Sequence, residues 1–198
     1  MSAAEPSSRH ATPMAQVFGM LVRPGETLDA LADQPFGAAE LYRGYVVPLA
    51  AVGPVCGAAG LLVFGGGIAR ITLKMTLLPT LEHAVVSYGL SLVAVYVLAL
   101  TIAVLAPAFG GVGARVQALK LVTFAGTALW LSGLFDLYPP LGFPLGLLGG
   151  LYSLYALHLG LAPMMRVSHD RALTYFACVL VAALLLGLLL RLAGGVVR

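Results

Sequence analysis

The chain has 198 residues, of which 60% are hydrophobic and only 10% are charged. Soluble domains have about 25% charged residues, so this composition excludes a soluble globular protein, a disordered chain and a coiled coil. The two cysteines both lie in apolar runs, which excludes a disulfide framework and a paired-cysteine zinc site. We therefore expect an all-α polytopic membrane protein in contact with the lipid bilayer. We expect no nucleic-acid partner, although the small net charge of +3 does not by itself decide whether the protein binds nucleic acid.

The first 43 residues precede the membrane domain and differ from it in composition. Residues 1–13 are polar and contain proline, and we expect them to be disordered. The next stretch is interrupted by Gln16 and Gly19, which argues against a cleaved secretory signal. Within residues 14–43, four apolar side chains at helical spacing predict a short amphipathic helix suited to the membrane interface: Met14, Val17, Phe18 and Leu21.

A second short helix is predicted over Glu26–Ala32, with Leu28 and Leu31 on one side and Pro35 ending the element. Two interpretations fit both short helices. Either they are connecting structure packed on the bundle, or they attach to the membrane on their own.

Four uncharged stretches in residues 44–192 are long enough to cross a bilayer, which takes about 20 apolar residues. A fifth, between Lys120 and Asp136, is shorter, and we extend it past Lys120 because a lysine stem can reach the headgroups. We expect each to form one transmembrane helix of a five-span bundle. The predicted spans are Gly44–Ala69, Ala84–Phe109, Gln117–Leu137, Pro144–Pro163 and Ala172–Leu190.

Lysine and arginine are distributed unequally between the two sides of such a bundle. The side that holds the N-terminus carries seven of them and the opposite side four. Because basic residues favour the cytoplasm, we expect a multi-pass protein of the inner cell membrane with a cytoplasmic N-terminus and an outside C-terminus.

Polar side chains on the fourth span predict a candidate polar pocket. Tyr152, Tyr155 and His158 follow one another at steps of three and share one side of the helix, and Lys120 falls in the same half of the membrane. An ionisable group at membrane depth indicates a functional site by default. The alternative, which we prefer for His158, is a core histidine that is hydrogen-bonded to a neighbouring helix.

A second group of polar residues is expected on the outer side, where Glu82 and His83 begin span two and Asp136 ends span three. For these three and for Lys120, we favour charges that are simply solvated at the membrane boundary.

Glycines recur at every fourth position in two spans and predict smooth helix surfaces on which another helix packs. We favour packing of these glycines within the monomer. An interface between two copies of the chain is the alternative. The glycines are Gly142, Gly146 and Gly150, with Gly53 and Gly57 in the first span.

Several short motifs follow one another along the chain. They are Val22-Arg23-Pro24, Leu31–Pro35, Tyr45, Pro48, Gly126-Thr127, Trp130-Leu131, Pro139-Pro140, Tyr152-Ser153 and Gly160-Leu161. Their order resembles bacterial members of the Yip family, the Ypt/Rab-interacting membrane proteins, over roughly residues 14–190. This resemblance implies a five-span bundle with a cytosolic N-terminus. It also implies a role in organising membrane or binding membrane or peripheral protein partners, and eukaryotic relatives are linked to Rab GTPases.

No motif for zinc binding, phosphate binding or a nucleophilic serine was found in the sequence. We therefore expect a non-enzymatic protein without a cofactor. The alternative function is a small transporter or channel with a polar pathway near His158.

Overall fold

The structure, a computed structural model, describes residues 13–64 and 77–196. The disorder expected for residues 1–13 lies outside these ranges except at Pro13, and so does the part of the predicted first span that follows Phe64. In chain order the helices are α1 (Pro13–Val22), α2 (Pro24–Ala32), α3 (Ala38–Leu41), a π-helix (Tyr42–Val46), α4 (Val47–Ala50), α5 (Val52–Phe64), α6 (Leu77–Leu105), a 3₁₀ helix (Ala106–Phe109), α7 (Arg115–Ala125), α8 (Thr127–Ser132), a 3₁₀ helix (Gly133–Leu137), α9 (Pro139–Met165) and α10 (His169–Val196).

Within these ranges, five helical spans are long and apolar enough to cross a membrane. They confirm the predicted all-α polytopic fold. We name them span 1 (Ala38–Phe64), span 2 (Leu77–Phe109), span 3 (Arg115–Leu137), span 4 (Pro139–Met165) and span 5 (His169–Leu189), which forms most of α10.

The observed spans are longer than the uncharged stretches that predicted them. Span 1 begins at Ala38 and so includes Arg43, and span 2 begins at Leu77 and so includes Glu82 and His83. The predicted break before the fourth span is confirmed at Pro139, the first residue of α9. Proline suits this position because it lacks an N–H and restricts the preceding residue to an extended conformation.

Span 3 lies at the centre of the bundle. In its most apolar window 67% of the residues are buried, against 11–28% in the other spans. It packs against spans 1, 2 and 4 and against α1 and α2, whereas span 5 packs at the edge on spans 2 and 4. We call the end of the bundle at which spans 1, 3 and 5 begin the N-terminal side, and the opposite end the far side.

Tyrosine hydroxyls join the spans to one another. The Tyr45 hydroxyl lies 2.8 Å from Oγ1 of Thr127 and so joins span 1 to span 3. Tyr175, which is fully buried, donates to the carbonyl of Ile102 at 2.6 Å and fastens span 5 to span 2. Hydrogen bonds of this kind stabilise helix pairs in lipid, where apolar contacts alone do not distinguish helix from bilayer.

Candidate functional site

Lys120 is buried under the N-terminal helices, with only 2% of its surface exposed. Our expectation that it is solvated at the membrane boundary is therefore wrong. Its Nζ donates to the carbonyl oxygens of Leu31 at 3.3 Å, Ala32 at 3.2 Å and Gln34 at 2.5 Å. Carbonyls at the end of a helix lack partners within the helix, and a cation there also suits the helix dipole. Three protein carbonyls thus replace the water that a boundary lysine would otherwise bind.

Two more side chains of spans 3 and 4 bind the ends of the short helices. Gln117 donates from Nε2 to the same Ala32 carbonyl at 2.9 Å. The Tyr152 hydroxyl lies 3.1 Å from the carbonyl oxygen of Met20 and 2.8 Å from that of Leu21, at the end of α1. We call Gln117, Lys120 and Tyr152 the docking cluster, because together they hold the C-terminal ends of both α1 and α2.

The docked helices bury one face and expose the other. Leu28 and Leu31, which we predicted on one side of α2, are 0% and 2% exposed, so this side packs on the bundle. In α1 the buried side chains are Gln16 and Met20, on the face opposite to the predicted one. Of the predicted apolar face, Met14, Phe18 and Leu21 point away from the bundle and are 78%, 67% and 41% exposed, whereas Val17 is partly buried and packs against the core. Val22, next to that face, is 57% exposed.

The remaining members of the candidate polar pocket face other surroundings. The ring of Tyr155 lies 6.0 Å from that of Tyr152 and is 53% exposed. His158 is exposed, and its imidazole lies 4.7 Å from the ring of Phe176 on span 5. Lys120 therefore faces α2, Tyr152 faces α1, and His158 faces span 5.

On the far side, Asp136 lies in the 3₁₀ helix that ends span 3, and glycines surround its carboxylate. A Cβ atom at Gly53 or at Gly133 would lie 3.7 Å from Oδ2, and one at Gly142 would collide with Oδ1. A Cβ atom at Gly57 would lie 3.7 Å from the Cβ of Asp136. The structure therefore brings three of the predicted packing glycines together around this one carboxylate.

The carboxylate of Asp136 opens into a cavity of about 420 Å³ between spans 1, 2, 3 and 4. His83 lines the same cavity, whereas Glu82 is exposed and is not among the lining residues. Within residues 13–64 and 77–196, Asp136 has no ion-pair or hydrogen-bond partner. We call this space the Asp136 cavity. The polar part of its wall is completed by the hydroxyl groups of Thr80, Ser87, Ser91 and Ser132.

The other two glycines of the predicted strip have different surroundings. Gly146 has open space in front of it and lines the Asp136 cavity, and a Cβ atom at Gly150 would lie 3.8 Å from Cδ1 of Leu129 in span 3. Gly149 packs more tightly, because its Cβ would collide with the side chain of Ser132.

The serines of this cavity were missed in the sequence, although a signal was present. His83, Ser87 and Ser91 are spaced by four residues and therefore share one face of span 2. A polar stripe on an otherwise apolar transmembrane helix indicates a surface that lipid does not cover.

Comparison with known proteins agrees with this architecture. The family model described as the Yip1 domain matches residues 18–191. The chain is 25% identical over 183 residues to the inner membrane protein YohC of Escherichia coli K12, covering 90% of this chain and 94% of that protein, and equally to YohC of E. coli O6:H1. No solved structure matches. Because the family model covers most of its length, including all five spans up to residue 191, the chain belongs to the Yip1 domain family.

Proposed function

We propose that the protein is a non-enzymatic, multi-pass inner-membrane protein that organises the surrounding bilayer. In this proposal α1 and α2 form a helical hairpin that enters one leaflet from the N-terminal side. The single observation that carries it is the position of α1, which is bound to the middle of span 4 while its apolar face is left exposed.

The depth of the hairpin is given by its contacts along α9. At 1.5 Å per residue, Tyr152 lies about 20 Å from the end of α9 at Met165. A Cβ atom at Gly160, five residues from that end, would lie 2.8 Å from Cδ1 of Leu28 in α2. The whole of α9 is about 40 Å long, and a hydrocarbon core is about 30 Å thick. The end of α1 therefore lies close to mid-membrane, and α2 leads back to the N-terminal side.

A turn at this depth must satisfy its own backbone groups, because lipid offers no hydrogen bonds. The Arg23 amide donates to the Gly19 carbonyl at 2.8 Å, and the Arg23 carbonyl accepts from the Thr27 amide at 3.1 Å and from its hydroxyl at 2.8 Å. Arg23 also pairs with Glu26 at 3.3 Å; the two side chains are 70% and 73% exposed, and their pairing lowers the cost of placing these charges in the bilayer. These bonds, with those from Tyr152, support a hairpin that is stable inside the membrane.

The outward face of α1 supports a role in the bilayer. Among the described residues, Met14, Phe18 and Val22 are 78%, 67% and 57% exposed, and their apolar side chains suit lipid chains. A hairpin that occupies one leaflet enlarges the cross-section of the protein in that leaflet only, and such asymmetric insertion couples to membrane curvature.

The location and orientation rest on two further observations. The described spans keep the excess of lysine and arginine on the N-terminal side, which favours a cytoplasmic hairpin. The E. coli relatives are named as inner membrane proteins, which supports the same membrane for this chain. A transport pathway past His158 gains no such support, because its imidazole faces Phe176 and the outer surface of the bundle.

The test compares vesicle diameters after reconstitution of the full chain at equal protein-to-lipid ratios. We expect the wild type to give smaller vesicles than lipid alone, and Phe18→Ser to lose this effect. Val85→Ser is the matched control, since Val85 is 69% exposed on span 2 and Phe18 is 67% exposed on α1. Equal diameters for all three proteins would contradict the proposal. The exposed face of α1 would then be assigned to the binding of a protein partner.

A second measurement tests the depth directly. In a Trp130→Phe background, which removes the single native tryptophan, Phe18→Trp places a fluorophore on the exposed face of α1. We expect quenching by lipids brominated along the acyl chain and little quenching by aqueous iodide. The reverse order would show that α1 faces water.

A further inference from the structure

The Asp136 cavity adjoins a second cavity of about 470 Å³ that lies deeper in the membrane between spans 2, 3, 4 and 5. Both volumes fall in the range of about 300–1,000 Å³ that is typical of small-molecule sites. The two cavities share four wall residues, Ser91, Leu129, Trp130 and Gly146. They are therefore adjacent, and together they make up a composite site with a polar end at the far side and an apolar end towards the membrane centre.

The polar end offers hydrogen-bond acceptors and a negative charge. The hydroxyl of Ser87 donates to the Ala84 carbonyl at 3.0 Å, that of Ser91 to Tyr88 at 2.7 Å, and that of Ser132 to Leu129 at 2.7 Å. Each serine proton is thus used within its own helix, and the oxygen lone pairs are left for a ligand. With the carboxylate of Asp136, which is unpaired among the described residues, this lining matches a group that is positively charged and carries several N–H donors.

A primary ammonium meets these requirements, because it has three donors and no acceptor. A quaternary ammonium has no N–H to donate and is recognised instead by aromatic cages, whereas the described part of this lining holds Trp130 and no phenylalanine or tyrosine. His83 lies in the same wall and can donate to a phosphate next to the ammonium group.

The apolar end matches a hydrocarbon chain. Its described lining contains no ionisable side chain. Gly146 and Leu157 of α9 both line it and are about 16 Å apart along the helix, which is close to half of a hydrocarbon core about 30 Å thick. The groove opens sideways to lipid, since Leu147, Leu151 and Leu184 on its wall are 54%, 55% and 64% exposed.

We propose that this composite site binds one phospholipid of the far leaflet through a primary-ammonium headgroup. The ammonium group lies at Asp136, and one acyl chain lies in the groove between spans 2, 3, 4 and 5. The position of the carboxylate, one residue before the end of span 3, places the headgroup at the membrane surface. This inference is independent of the hairpin proposed above, because it involves neither α1 nor α2.

The test measures which lipids the purified full chain retains, by native mass spectrometry after exchange into vesicles with equal amounts of three phospholipids. The three have identical acyl chains and carry ethanolamine, choline or glycerol headgroups. We expect the ethanolamine lipid to be enriched about tenfold on the wild type, since one charge-assisted hydrogen bond accounts for such a factor. Equal retention of the three lipids, or no retained lipid, would overturn the proposal.

Two substitutions separate the ends of the site. Asp136→Asn is expected to abolish the headgroup preference and still retain lipid, and Glu82→Gln serves as the control at an exposed carboxylate outside the cavity. Gly187→Phe is expected to fill the groove and reduce the retention of all three lipids. Gly89→Phe is its matched control, since both glycines have open space in front of them and only Gly187 lines the groove.

A last arm distinguishes a lipid from a free amine. Ethanolamine in solution is added to the detergent-purified wild type, and the midpoint of thermal unfolding is compared with that produced by the ethanolamine lipid. We expect stabilisation by the lipid alone. Equal stabilisation by free ethanolamine would assign the site to a small water-soluble amine and overturn the lipid assignment.

Discussion

Lys120→Met removes the cation that holds the end of α2 and leaves the rest of span 3 intact. Methionine has a similar length and a flexible apolar side chain, so it can fill the space of the lysine stem. The carbonyls of Leu31, Ala32 and Gln34 then lose the Nζ donor, and the Ala32 carbonyl keeps only its bond from Gln117. We expect α2 to detach more readily from the bundle.

The size of the effect follows from the three lost bonds. Interhelical hydrogen bonds in membrane proteins contribute about 0.6 kcal/mol on average and about 1.7 kcal/mol at most, so three of them contribute about 2–5 kcal/mol. Removing a buried cation also removes the free-energy cost of its desolvation, which lowers the net loss. We therefore expect docking of α2 to weaken by about 3 kcal/mol, which is a change of about 100-fold in the opening equilibrium.

Hydrogen exchange of the amides between Leu28 and Gln34 measures this opening. Exchange is expected to be about 100-fold faster in Lys120→Met than in the wild type, while amides in span 5 are unchanged. Arg115→Met is the matched control, since Arg115 is an exposed cation on the same helix and its loss should leave exchange unchanged. Rates in Lys120→Met within threefold of this control would refute the view that Lys120 anchors α2.

Three further predictions use the same logic. Tyr152→Phe should speed amide exchange at the end of α1 about tenfold, while Tyr155→Phe should not. Gly60→Ala should lower the stability of the bundle in thermal unfolding by about 2 kcal/mol, because its Cβ would lie 2.5 Å from two carbonyl oxygens, whereas Gly89→Ala in open space should not. His158→Gln should keep stability within about 1 kcal/mol and behave as the wild type at every pH in vesicle flux assays; a proton-linked flux lost in this variant would support the transport alternative.

The membrane spans could be predicted from the sequence because water and lipid differ strongly in polarity. An uncharged window of about 20 apolar residues is typical of a membrane-spanning helix, and Pro139 marks a break that backbone geometry imposes. The orientation of α1 could not be predicted in the same way. Its buried face carries the polar Gln16 beside Met20, its exposed face carries Phe18, and inside a bilayer the hydrophobic effect does not distinguish lipid from protein.

The far-side site shows a second limit of the sequence. Gly53 and Gly142 were recognisable as packing positions, since small residues let helices approach closely. Both of them lie next to Asp136 because three elements meet there. The spacing of residues within one helix does not predict how different helices are arranged. Similarly, Lys120 binds carbonyls 86–89 residues away, and no local pattern links the two segments.

The polar groups of this bundle differ in what they bind, and the difference locates its ligand site. Lys120, Tyr152 and Tyr175 donate to backbone carbonyls of another element, and Tyr45 is bonded to a threonine hydroxyl. These side chains stabilise the fold, because helices in lipid associate through such bonds and through close packing. In the described part of the chain Asp136 has no such partner, although three elements leave space for its carboxylate. A charge kept in a cavity without a protein partner is stabilised best by a ligand of opposite charge, which is why the headgroup test centres on Asp136.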